Sequence, residues 1–125
     1  MTYPSLLLAA LLTVAVGLLH SWLGERLLIG PLLAAPSADG PLARRFLRRV
    51  LRNAWHITSF AWAGMGLVLA SLAFAPLDAQ GRRVAVVIGA VFVGHGLFVF
   101  AMSRGRHVGW PFFLAIGGLA LWAAM

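Results

Sequence analysis

Four histidines and one glutamate are the side chains in this sequence best suited to chemistry: His20, His56, His95, His107 and Glu25. Imidazole is the commonest neutral ligand for Zn, Cu and Fe and a usual axial ligand of haem. The chain has no cysteine, which excludes disulfides, thiolate zinc sites and iron–sulfur clusters. Any metal would be held by imidazole, carboxylate, methionine or backbone oxygen. Whether these groups can act together depends on the elements that place them.

Those elements are apolar. Of the 125 residues, 62% are hydrophobic and 10% are charged, against about a quarter charged in soluble domains. So few charges cannot cover a globular surface, and the composition implies an integral membrane protein. The net charge of +7 comes from ten arginines, with no lysine and three acidic residues. In a membrane chain such an excess marks cytoplasmic loops rather than a nucleic-acid partner. The first apolar run lacks a basic leading region and a small-residue cleavage site, so it is read as a retained helix.

Four apolar runs follow one another: residues 4–29, stopped by Gly30-Pro31; 53–75, ended at Pro76; 84–103; and 108–125. Each is near the roughly 20 residues that cross a hydrocarbon core. The sequence predicts one all-α domain over residues 1–125, an integral membrane four-helix up-down bundle. Short connections are expected to make consecutive helices antiparallel neighbours. An amphipathic segment, 41–52, precedes helix 2. Arg44, Arg45, Arg48, Arg49 and Arg52 share one face, and Phe46, Leu47, Val50 and Leu51 the other. Pro41 suits the first turn and Asp39 a cap. The segment is expected to meet anionic lipids at residues 44–52, lying at the headgroups or forming the projecting start of helix 2. An acidic partner or an anionic substrate is the alternative.

Eight arginines fall on the side of the first and third connections, and only Arg82 and Arg83 lie opposite. The positive-inside rule then places those connections in the cytoplasm and both termini outside, as in a multi-pass protein of a bacterial-type inner membrane. Counted inward at 1.5 Å per residue from Glu25, Arg52 and Arg104, His20 lies about 7 Å deep, His56 about 6 Å and His95 about 13 Å. His107 falls in the headgroup layer. All four are in the cytoplasmic half.

Small residues accompany the histidines: Thr13, Gly17 and Gly24 with His20; Ser59, Ala63 and Gly66 with His56; Gly89, Phe92, Gly96 and Val99 beside His95. Membrane helices pack through such faces, so the imidazoles are expected to converge. An ionisable group stranded in lipid is costly, which makes each a candidate. The expected site takes His20, His56, His95, His107 and Glu25 as metal ligands. Arg52, Trp55 and Ser59 would contact the cofactor, either haem b or a Zn, Cu or Fe ion. With haem, the chemistry would be electron transfer with a membrane quinone or a membrane partner protein.

Plainer roles are open to the same residues. His20 and His56 can hydrogen-bond to each other or to Ser21, Thr58 or Ser59. Glu25 can pair with Arg26 or Arg52, and Trp22, Trp55 and Trp110 can form the interfacial belt. Two other functions fit the composition: a small homodimeric transporter coupling protons through Glu25 and the histidines, and an accessory subunit of a larger membrane assembly.

Four short helices with an edge glutamate loosely resemble small multidrug-resistance exporters, although there the glutamate lies deep in helix 1. The histidines loosely resemble those of two-haem membrane cytochromes, which place pairs at both membrane faces. The fragment Gly105-Arg106-His107-Val108-Gly109-Trp110 is similar to part of the cytochrome b subunit of succinate dehydrogenase, with the upstream histidine at a different spacing. The chain is assigned to none of these families.

Overall fold

The structure, a computed structural model, describes residues 2–34 and 41–125, with side chains from residue 45 onward in the second stretch. The cap expected at Asp39, the first-turn role of the Pro41 ring and the guanidinium of Arg44 lie outside the described residues. Every described element is helical.

The first helix, α1, runs Pro4–Gly24 with Pro4 in its first turn, where a missing N–H costs nothing. Its buried stripe is Leu6, Ala9, Ala10, Thr13, Gly17 and Gly24. Thr13 Oγ1 donates to Ala9 O at 2.7 Å, so the buried hydroxyl is satisfied within its own helix. Helix 1 does not stop at Gly30-Pro31, as the sequence led us to expect. It passes through a π-helical turn, Glu25–Ile29, into α2, Gly30–Ala34. Gly30 N–H donates to Glu25 O across that wider turn. A regular helix would press the Pro31 ring on the carbonyl four residues back, and the extra residue in the turn makes room. The result is one rod of 31 residues, about 46 Å long at 1.5 Å per residue.

Next comes α3, Pro41–Ala73, a continuous helix of 33 residues and about 50 Å. The arginine segment is therefore the projecting start of the second long helix. Arg48 Nη2 donates to Leu33 O, placing a cation at the C-terminal carbonyls of α2. A turn leads to α4, Ala79–Ser103, capped by Asp78 accepting from Gly81 N–H at 2.7 Å. Left-handed Arg104 (φ 52°) and Gly105 (φ 75°) end it. The last helix, α5, is Trp110–Ala124, only 15 residues or about 22 Å. Three stretches are long and apolar enough to cross a membrane, Pro4–Ala34, Arg45–Ala73 and Ala79–Ser103; α5 is apolar but shorter.

The long helices alternate in direction. The start of α1 meets the end of α3, where Tyr3 N–H donates to Ala73 O at 2.9 Å. The start of α4 meets the end of α5, where Arg82 Nη1 donates to Ala124 O at 3.1 Å. Two of the expected consecutive pairs are present and the third is replaced. The tight pairs are α1 with α3 and α4 with α5, α1 against α5 joins them, and α3 and α4 barely meet. Side-chain size explains this. Where Gly17 faces Ser59 and Gly66 faces Ala10, α1 and α3 approach backbone to backbone. Between α3 and α4 stands buried Trp62, its ring 6.1 Å from that of His95 and 5.0 Å from that of Phe113.

The close approach of α5 to α4 gives a stability test. A Cβ on Gly117 would stand 2.7 Å from Gly89 O and 2.8 Å from Val93 N, backbone atoms that cannot swing aside. We expect Gly117→Val to cost about 1–3 kcal/mol, read as a lower unfolding midpoint in detergent. Gly118→Ala, with nothing within 4 Å of its Cβ, should stay within about 0.5 kcal/mol of the parent.

Candidate functional site: the histidine end

At the end opposite Tyr3, α1 and α3 exchange two hydrogen bonds with reversed partners. His20 Nδ1 on α1 meets Ser59 Oγ on α3 at 3.0 Å. Ser21 Oγ on α1 meets His56 Nδ1 on α3 at 2.9 Å. Antiparallel packing makes this exchange natural, because each helix offers an imidazole and a hydroxyl at one level.

Above this clasp lies an ion pair. Arg52 binds Glu25 through two of its nitrogens, Nη2 to Oε1 at 2.6 Å and Nε to Oε2 at 3.1 Å. His56 Nε2 is 3.5 Å from Oε2 of the same carboxylate. The Arg52 and Glu25 side chains are 50% and 35% exposed, so the pair is weakly stabilising in an aqueous setting. We expect Arg52→Gln to change detergent-solution stability by less than about 1 kcal/mol.

Trp55 departs from the interfacial belt expected of it. Its indole lies in the notch left by Gly24, where a Cβ would stand 2.0 Å from Nε1. It stacks on the His20 ring at 4.3 Å with 3° between planes and donates to His20 O at 2.9 Å. Trp62 meets the same imidazole edge-on at 4.9 Å. Trp55, Trp62 and Ser59 thus fix His20 from three directions. Trp22 does face outward, with the Arg26 guanidinium 4.9 Å from its ring centre. Trp110 is half-buried and donates to Gly105 O at 3.1 Å.

The four imidazoles are not gathered into one ligand set. Among the described residues, no three His, Asp or Glu side chains are placed to hold one ion. His95 sits across Trp62 from His20, its Nδ1 3.0 Å from Val91 O in its own helix. A carbonyl only accepts, so Nδ1 carries the proton there. His56 is turned to Ser21 and Glu25. His107, exposed before α5, accepts at Nδ1 from Gly109 N–H at 2.9 Å. Its neutral ring therefore carries the proton on Nε2.

His20 and His107 do share one feature. Both line an apolar groove of about 350 Å³ between the end of α1 and the start of α5. Leu19, Leu23, Leu27 and Leu28 form one wall, Val108 and Phe112 the other, with Trp62 and Phe113 behind. The cause is a mismatch of lengths. The rod from α1 to α2 runs on past the first turn of α5, so its leucines overhang. The unequal apolar runs at 4–29 and 108–125 were the only trace of this groove in the sequence, and Phe112, Phe113, Leu27 and Leu28 were not singled out there.

Comparison with protein-family models, with curated proteins and with solved structures returns no match.

Proposed function

We propose that the chain is a multi-pass membrane protein whose α1–α5 groove binds a ring-headed, carbonyl-bearing amphiphile of the quinone class. The membrane placement is supported by three helices of spanning length and composition. Eight arginines at the histidine end against two at the other favour a cytoplasmic position for that end. The observation that carries the ligand is the lining: two imidazoles in a groove otherwise apolar and aromatic. Its volume lies at the lower end of small-molecule sites, which span about 300–1,000 Å³.

The polarity of the two imidazoles narrows the class. The proposal takes the His20 tautomer in which Ser59 Oγ–H donates to Nδ1, which leaves the ring proton on Nε2. His107 carries its proton on Nε2 as well. Two neutral donors and no carboxylate suit carbonyl oxygens on an apolar body, not a cation. The hydrophobic tail would leave through the open side of the groove into lipid.

Titration of the detergent-purified chain with a short-chain quinone, followed by tryptophan quenching, tests this. Trp55 and Trp62 line the groove, so saturable quenching at one ligand per chain is expected. His20→Leu, which removes the N–H donor, should weaken binding about tenfold, the worth of one hydrogen bond to the ligand. Quenching that does not saturate, or that ignores His20, would remove the proposal.

Haem b is the second reading, because His20 lines the groove and its Nε2 would be free to serve as an axial ligand in the other tautomer, with Nδ1–H donating to Ser59 Oγ. A Soret band in the purified chain that vanishes in His20→Ala would favour it over a free quinone.

A further inference from the structure

The projecting start of α3 has an outer surface that neither the groove nor the clasp uses. At 100° per residue, Phe46, Val50, Ile57, Phe60, Gly64 and Val68 fall within about 80° of one another. All six are exposed, Phe46 by 71% and Phe60 by 76%. The exposed Asn53 is the one polar side chain between Val50 and Ile57 in this sector, and beyond it the apolar stripe resumes past Arg52. It continues to the first described side chains of α3. From Phe46 to Val68 it covers about 33 Å, against a hydrocarbon core of about 30 Å.

Exposed Arg45 and Arg49 run along one edge of this stripe. Little within the chain can neutralise them. It has three acidic residues: Glu25 is taken by Arg52, Asp78 caps α4 at the far end, and Asp39 lies outside the described residues. Arg48 is turned the other way, to Leu33 O, while Arg45 and Arg49 are exposed. A guanidinium edge beside an apolar stripe matches an anionic phospholipid surface, with phosphates for the one and acyl chains for the other.

We propose that residues 45–52 of α3 lie in the headgroup layer of an anionic leaflet, phosphates on Arg45 and Arg49 and the Phe46 and Val50 side chains among the acyl chains. A helix of about 50 Å cannot stand upright in a core of about 30 Å without projecting or tilting. The arginine edge sets the side toward which it leans. The inference rests on the membrane placement above and not on what fills the groove.

The natural absence of cysteine makes the test direct. Phe46→Cys and Phe60→Cys, each in the full chain, carry a polarity-sensitive fluorophore into vesicles of phosphatidylcholine with or without phosphatidylglycerol. The Phe60→Cys label should be shielded from acrylamide in both. The Phe46→Cys label should become shielded when phosphatidylglycerol is present. With two arginines engaged, the docked-to-undocked ratio should rise about 30-fold, and it should fall again in high salt and in Arg45→Gln/Arg49→Gln. A Phe60→Cys label open to water would overturn the membrane placement and the inference with it. A shielded Phe60→Cys label beside a Phe46→Cys label open in both lipids would overturn the inference alone and leave an acidic protein as the partner to seek. Equal shielding in both lipids, indifferent to the arginine substitutions, would also overturn it.

Discussion

Replacing Gly24 by valine is expected to evict the Trp55 indole and, with it, the proposed quinone site. A Cβ at position 24 would stand 2.0, 2.3 and 2.5 Å from Nε1, Cε2 and Cζ2 of Trp55. An indole is rigid and cannot yield by a few tenths of an ångström, so it must leave the notch. The His20 ring then loses its stacked cover, and the Trp55 hydrogen bond to His20 O is broken. An aromatic pair contributes about 0.5–1.5 kcal/mol and a hydrogen bond about 1 kcal/mol, so a loss of about 2 kcal/mol is expected. It would be read as a lower unfolding midpoint and a red-shifted tryptophan spectrum. Quinone affinity should fall about tenfold or more, because His20 is no longer held. Combining Gly24→Val with Trp55→Ala should cost much less than the sum of the two, since both remove the same contacts. Additive losses would mean that Gly24 acts elsewhere.

The second large effect is expected from filling the groove without touching the clasp. Ala15 is exposed, lines the groove and makes no side-chain hydrogen bond. Ala15→Trp places an indole in a space of about 350 Å³, leaving too little room for a ring-headed ligand. Binding should drop about 100-fold or more, while stability moves by no more than about 0.5 kcal/mol, because no buried contact is lost. Unchanged affinity in Ala15→Trp would place the ligand elsewhere.

Much of the fold was legible because helices announce themselves through spacing. Thr13, Gly17 and Gly24 of the buried stripe of α1, the arginine start of α3 and the short run of α5 all follow from residue order; Leu6, Ala9 and Ala10 were not singled out. Gly30-Pro31 was misleading because the π turn that accommodates Pro31 is a local rearrangement that a proline alone does not encode. The neighbour order held for α1 with α3 and for α4 with α5, and failed between α3 and α4, because loop length says only which helices can be adjacent. It is the bulk of Trp62 against the glycines of α1, α4 and α5 that selects which pairs approach.

The histidine end was legible in its depth and less so in its directions. The bonds of His20 to Ser59 and of His56 to Ser21, and the pair of Glu25 with Arg52, are the plainer alternatives that the sequence offered. Convergence of all four imidazoles assumed that rings at similar heights also share an azimuth. His95 turns to its own helix at Val91 instead, and Trp62 stands between it and His20. Trp55 near the expected boundary suggested an outward belt, because its partner, the bare backbone of Gly24, is 31 positions away in the chain and invisible to any local pattern.

Nitrogen chemical shifts of the four imidazoles in ¹⁵N-histidine-labelled protein, recorded as a short-chain quinone is added, bear most directly on the groove. The resonance pair missing from His20→Gln should move at Nε2 and saturate at one ligand per chain, while those of His56 and His95 stay in place. Imidazoles that all remain unmoved at saturating quinone, or movement confined to His56 or His95, would contradict the assignment of His20 as the group that holds the ligand.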